Sequence, residues 1–394
     1  MAYRIDPKAP AGCIGDCLAC GKCGSFSILD SFKTSGQTIE PRDGMGIAAD
    51  IGTTSIVLAL LDLSDGTVLA RHSFMNPQRP FGPDVISRIN AANNGNLEAL
   101  RRVVTESVAA GCTELLASRD IQPSQIVDIA VAGNTVMSYL TLGLPCESLG
   151  AAPFKPAYET DGEYDSAEVF GGLSIHCPVR FAPWLAAFVG GDITAGLLYL
   201  LGVGPERFIL IDLGTNGEMA LYDHGKLTVT STAAGPVFES GAGGGASDVI
   251  SKLAFLVEHG HLDETGLLAG GAPDIFSQRE IRELQLAKSA VRSGQEILLE
   301  AAGLDCHSIE AVYLAGGIGQ EMDIKSAVTV GLLSPELSGK ARAAGNTSLA
   351  GAAQLLLAPE SSANRIKNIR AAANDINLAV HPRFNDCFME YMCF

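Results

Sequence analysis

Apolar positions run almost unbroken from Met45 to Asp50, stop at a Gly-Thr-Thr turn, and resume as a β-branched run from Ser55. This pattern predicts strand, tight turn, strand, and the "SDG" that follows opens a second turn into a third strand. Leu97, Leu100, Val104 and Val108 then recur at helical spacing within "NLEALRRVVTESVAAGCTELLAS". "IVDIAVAGNTV" reads as a short buried strand ending in a Gly-Asn turn. The same order returns in the second half of the chain. "FILIDLGTNGEMALYD" repeats "MGIAADIGTTSIVLALLD", the helical "EIRELQLAKSAVRSGQEILLEAAG" follows, and "EAVYLAGGIG" stands where "IVDIAVAGN" stood. Two copies of a βββαβα-type unit predict duplicated α/β domains facing each other. Their near-continuous apolar strands predict sheets covered on both faces.

The first 43 residues break this pattern. They hold Cys13, Cys17, Cys20 and Cys23, followed by the polar stretch "KTSGQTIEPRD", which reads as a linker. The chain is therefore divided into a cysteine-rich segment (1–43), a first domain with its connecting region (44–205), a second domain (206–358) and a C-terminal tail (359–394). The aromatic end of that tail, "PRFNDCFMEYMCF", is read as docking on the body or on a partner.

Composition agrees with this division. A chain of 394 residues, 47% hydrophobic and 18% charged with 44 glycines, fits several buried α/β domains joined by tight loops. A net charge of -17 disfavours nucleic acid or an anionic membrane surface as the main partner. The best apolar run, "GLLYLLGVG" from Gly196, is far shorter than a bilayer requires, and the N-terminus lacks the apolar core of a signal peptide. The expected compartment is the cytoplasm, where thiols stay reduced and a dense cysteine cluster points to metal rather than disulfides.

The two turns carry the first candidate chemistry. In "DIGTT" (Asp50, Gly52, Thr53, Thr54) and "DLGTNGE" (Asp212, Gly214, Thr215, Asn216, Gly217, Glu218), glycine lets the backbone approach a ligand. Successive N–H groups and threonine hydroxyls form a cup of donors for phosphate oxygens. Asp50 and Asp212 at the strand ends suit Mg²⁺ and water, since Mg²⁺ takes oxygen ligands and keeps part of its hydration shell. Glu218 and Asp192 are candidate water-orienting groups, with a helix N-cap as the other reading of Asp192. "GPVFESGAGGG", including Gly243 and Gly244, is read as closing over a nucleotide, or else as a plain turn. Gly316 and Gly317, ending a strand in "YLAGGIG", leave room for a flat nucleoside.

Over residues 44–358 these motifs, with "GNTSLAGAAQ" as a second interdomain helix, resemble the actin-like ATPase superfamily. The resemblance implies two ribonuclease-H-like domains with ATP and Mg²⁺ in the cleft between them. Further segments narrow it: "NPQRPFGPDVISRI", "FVGGDITAGLL", "AAGPVFESGAGGG", "ELQLAKSAVRSG", "VYLAGGIG" and "GNTSLAGA". In that order and spacing the chain resembles the reductive activators of corrinoid-dependent enzymes. That resemblance implies ATP-dependent electron delivery to the corrinoid protein of a methyltransferase system, returning inactive Co(II) to nucleophilic Co(I). It also implies an upstream low-potential electron donor; a homodimer is allowed for.

An electron carrier is needed, and the ATPase core has none. The spacing C-x₃-C-x₂-C-x₂-C puts four thiolates on one glycine-rich loop, sufficient for a [4Fe–4S] cluster. Structural zinc accepts four thiolates too, but usually from two separated pairs. Longer relatives carry a plant-type [2Fe–2S] domain where this chain has residues 1–43. The other cysteines show no ligand spacing and read as small buried hydrophobes. Two other functions are compatible with the motifs: an ATP-driven electron donor to a different metalloenzyme, and a small-molecule kinase with a structural zinc site.

Overall fold

The first hairpin forms as its pattern requires. β1 (Met45–Ile51) pairs antiparallel with β2 (Ser55–Asp62), which pairs with β3 (Val68–Met75). β4 (Ile126–Gly133) runs parallel to β1, then β6 (Pro178–Phe181) parallel to β4, with β5 (Glu163–Asp165) at the edge. The second half repeats the plan with β7 (Arg207–Leu213), β8 (Gly217–Asp223), β9 (Lys226–Thr232), β10 (Ala311–Ala315) and β11 (Ala341–Gly345). The order β3-β2-β1-β4-β6 in the first sheet matches β9-β8-β7-β10-β11 in the second; β5 is added beside β6, and β12 (Ala373–Asp375) at the opposite edge, beside β9. The computed structural model describes residues 39–234, 237–240, 246–319 and 322–394.

Among the described residues, nine helices reach seven residues or more. The first half has α1 (Val85–Ala91), α2 (Leu97–Ala117), α3 (Thr135–Leu142) and α4 (Gly191–Val203). The second has α5 (Ala246–Glu258), α6 (Gln278–Ala302), α7 (Thr347–Leu357), α8 (Pro359–Ala372) and α9 (Phe384–Glu390). None is long and apolar enough to cross a membrane.

The layers follow from the two-residue period of the strands. Ile47, Ala49, Ile51, Ile129 and Val131 point outward into a core shared with Leu100, Val104 and Val108 of α2. Ile209, Ile211 and Leu213 point outward beneath α5 and α6. The alternate residues, Ala48, Ala130, Ala132, Phe208 and Leu210, face inward onto α4 and α7, which fill the space between the sheets. Asp50 and Asp212 fall on this inner face at the ends of their strands. The same alternation that builds the core therefore aims both carboxylates at the junction of the halves.

α4 and α7 cross very closely. Gly196 faces Thr347, and a Cβ on Gly351 would lie inside the contact shell of the Ala195 carbonyl. Because the obstacle is backbone, one helix must move. Gly351→Ala is expected to destabilise the fold by about 3 kcal/mol, the upper part of the overpacking range. A guanidinium midpoint equal to that of the parent protein would refute this.

Residues 359–394 are more than a tail. α8 packs on α4 and α7, β12 (Ala373–Asp375) extends the second sheet beside β9, and α9 packs on α6. Buried polar groups of α6 receive the chain end. Gln285 and Lys288 donate to the carbonyls of Met392 and Cys393, and Ser289 donates to that of Phe388. Of the scattered cysteines, Cys112, Cys146, Cys177 and Cys387 are buried, Cys306 is half-buried and Cys393 is exposed. Among the described residues no group of metal-ligating side chains is assembled.

Candidate nucleotide site

The turn after β1 is locked from behind. Arg88, 0% exposed, donates to the Thr53 carbonyl at 2.7 Å and to the Gly82 carbonyl at 3.0 Å. Burial lowers its pKa to about 10, so it remains charged at neutral pH. Asn76 donates to the Gly52 carbonyl at 2.8 Å, and Asn134 to the Thr53 hydroxyl at 2.9 Å. A buried cation and two amides thus fix the loop from behind. Within the second turn the Gly214 N–H donates to the Asn216 carbonyl at 2.9 Å. The hydroxyls of Thr54 and Thr215 lie 3.3 Å apart, so the two turns meet across the cleft.

Four carboxylates converge behind these turns. Antiparallel register sets Glu218 directly opposite Asp212, whereas Asp50 faces Val57. The halves match in fold, but only the second turn carries a carboxylate pair. Asp192 enters from the first turn of α4; Gly190 holds the N-cap position, and the Asp192 carboxylate accepts from the Ile193 N–H at 2.8 Å. Asp50 accepts from Asn346 at 2.7 Å and Ser348 at 2.9 Å.

Crowding of like charges in a desolvated cleft explains their titration. Burial, and then the Asp50 charge, pushes Asp192 up to about 7. Asp212 rises to about 8 through burial, with Asp192 and Asp50 adding to it. Glu218 is pushed well up by burial and by Asp192 and Asp212. Burial raises Asp50 as well, against the hydrogen bonds from Asn346 and Ser348. A hydrated divalent cation would relieve this repulsion, held through its own waters, since among the described residues no three of these side chains form a direct ligand set.

Raised carboxyl pKa values fix the sign of the pH dependence. Between the ordinary aspartate value near 4 and about 8, the folded protein holds protons that the unfolded chain has lost. Their contribution to stability is complete below pH ~4 and is lost as pH rises through ~7–8. The melting temperature without nucleotide is expected to fall over that window, and Mg²⁺ with nucleotide to raise it more at pH 8 than at pH 6. Equal stabilisation at the two pH values would count against a cation among these carboxylates.

Gly316 has φ +78°, and a Cβ there would collide with the Asp212 carboxylate. Its first consequence is therefore room for Asp212, while the adjacent Gly317 is exposed. Gly243, Gly244 and the four cysteines Cys13, Cys17, Cys20 and Cys23 lie outside the described residues. Sequence reasoning missed Asn76, Arg88, Asn134, Asn346 and Ser348. One signal was present: Ala-Gly-Asn-Thr occurs at 132–135 and again at 344–347. In each copy the asparagine caps the helix that follows and turns its amide to the first turn or its carboxylate.

Two matching sheets, a shared pair of inner helices and facing Asp-x-Gly-Thr turns define the actin-like, or ASKHA, ATPase fold. A model of the RACo middle region matches residues 45–201, and one of the C-terminal domain of RACo, the ASKHA domain, matches 206–252 and 259–394. The chain belongs to the RACo family. It is 31% identical to the corrinoid activation enzyme RamQ of Eubacterium limosum, over 87% of this chain and 69% of that protein. It is 23% identical to the Co(II) methylated amine-specific corrinoid protein reductase of Methanosarcina barkeri, over 87% of this chain and 76% of that protein. A solved reductive activator for corrinoid, iron-sulfur protein superposes with a TM-score of 0.78 at 29% identity, covering 90% of this chain and 67% of that one.

Proposed function

We propose that this protein is an ATP-dependent reductive activator that returns a Co(II) corrinoid protein to Co(I). The observation that carries the reading is the cleft of four carboxylates between paired phosphate turns, in a chain that also bears four closely spaced cysteines. Gly52, Thr53 and Thr54 on one side, and Gly214, Thr215, Asn216 and Gly217 on the other, would hold the phosphates. Asp50 and Asp212 would hold Mg²⁺, with Asp192 and Glu218 orienting the attacking water. Gly243 and Gly244 would close over the nucleotide, and Gly316 and Gly317 would border the nucleoside.

Cys13, Cys17, Cys20 and Cys23 would hold a [4Fe–4S] cluster, which supplies a one-electron carrier when bound. The net redox change is one electron from an upstream low-potential donor to Co(II), giving Co(I) with no atom transferred. ATP is hydrolysed to ADP and phosphate in the separate cleft. Its role is to drive domain motion that makes an uphill electron transfer to the docked corrinoid protein possible and then irreversible. The cytoplasm is its proposed site of action.

The test is anaerobic. Purified protein, titanium(III) citrate and a Co(II) corrinoid protein are followed by ultraviolet-visible spectroscopy with and without ATP. A Co(I) band that grows only with ATP is the expected result. Identical spectra would overturn the assignment, and ADP release dependent on a small-molecule acceptor would point to a kinase instead.

A further inference from the structure

α7 touches the candidate nucleotide site at one end and the linker of the cysteine-rich segment at the other. At its start, Asn346 and Ser348 donate to the two oxygens of Asp50. At its end, the Leu356 carbonyl accepts from Arg42 at 2.8 Å and the Leu357 carbonyl from the Glu40 N–H at 2.6 Å. The Glu40 carboxylate then accepts from the N–H groups of Glu360 and Ser361 at 3.1 and 3.0 Å, in the first turn of α8. Arg42 also pairs with Asp128, 0% exposed on the inner face of β4, which Arg180 pairs with too.

The register fixes how far apart these ends are. Asp50 lies beside Ala132 and Gly46 beside Asp128, four strand residues away, or about 13 Å. α7 spans its eleven residues in about 16 Å. A terminal helix bond needs a partner, so the linker contacts could be simple capping. Three features favour more than that. The linker uses two carbonyls, two side chains and a buried charge, not one stray contact. α7 is wedged against α4 at Gly351 and Ala195, so its middle cannot yield locally. And α4 carries Asp192, so both inner helices bring side chains to the same carboxylates.

We infer that α7 is a rigid coupler between the nucleotide site and the redox segment, with Asn346 and Ser348 as positioning residues and Glu40 and Arg42 as the linker's anchor. The inference rests on the ATP-dependent reading above. A change in the position of Asp50 when Mg²⁺ and nucleotide bind is passed along α7 to residues 39–44, which follow the cysteine-bearing stretch in sequence.

Hydrogen exchange on the full chain tests this, with Mg²⁺ and the β,γ-imido analogue of ATP as the probe. In the parent protein, exchange at residues 39–44 is expected to slow by about threefold or more together with residues 52–54. In the Asn346→Ser/Ser348→Ala variant, whose serine preserves the helix cap, residues 52–54 should still respond and residues 39–44 should not. Glu40→Ala should keep ATP hydrolysis within about twofold of the parent rate while ATP-dependent Co(I) formation falls about tenfold. Protection at 52–54 without any at 39–44 in the parent protein would overturn the coupling. Protection at neither would overturn the nucleotide reading, and the coupling with it.

Discussion

Replacing Asp212 by asparagine is expected to lower ATP turnover by about 10²–10⁴-fold, the range for losing a positioned proton-transfer or metal-orienting group. The same change is expected to raise the melting temperature of the nucleotide-free protein. Asp212 sits against Gly316, opposite Glu218, and feels the charges of Asp192 and Asp50. Asparagine has nearly the same shape, so the pocket left by Gly316 still fits it. What it removes is a carboxylate that the cleft already disfavours, and the gain should be largest above pH ~8, where Asp212 would be ionised. An ordinary destabilising substitution would lower both quantities, so the opposite signs separate function from folding. Turnover within about tenfold of the parent rate would remove Asp212 from the chemistry.

The strands, the duplication and the placement of both aspartates could be read from the sequence because they rest on local periodicity. Ile47, Ala49 and Ile51 on one face oblige Asp50 to lie on the other, and Ile209, Ile211 and Leu213 do the same for Asp212. The partners of these residues could not be read in that way. Asn346 and Ser348 reach Asp50 across almost 300 positions, and no local period links a helix start to a strand that distant. Arg88 is a charged residue with no exposure, and its burial makes sense only once the carbonyls of Thr53 and Gly82 are seen beside it. Residues 359–394 read as a tail because they fall outside the duplicated βββαβα plan, not because apolar positions are few. Their packing relies on edge pairing at β9 and on polar side chains of α6 that the C-terminal residues satisfy. Glu218 shows the middle case. Its presence near the turn was plain, but its pairing with Asp212 depends on a hairpin register set by the turn length.

Cys17→Ala is expected to abolish ATP-dependent Co(I) formation, by about 100-fold or more, while ATP turnover stays within about threefold of the parent rate. The argument is one of separate sites. The linker joins the body at the ends of α7 and β1 remote from Asp50, so loss of a thiolate upstream of residue 39 leaves the carboxylate cleft intact. Three thiolates on an eleven-residue loop cannot complete a four-cysteine ligand set, so bound iron should fall with the redox activity. Zinc at the same thiolates makes a different forecast, since zinc has no redox chemistry and gives a colourless site. In that case the parent protein would contain zinc rather than iron, and Co(I) formation, if present, would survive the substitution. Iron content and Co(I) rate measured together on the parent and variant proteins therefore decide whether the electrons enter through these cysteines. A variant that keeps its Co(I) rate would place the electron route elsewhere in the complex and reduce residues 1–43 to a structural role. A variant that loses iron, Co(I) formation and ATP turnover together would instead mean that the cleft depends on the redox segment, and the coupling along α7 would then run in both directions.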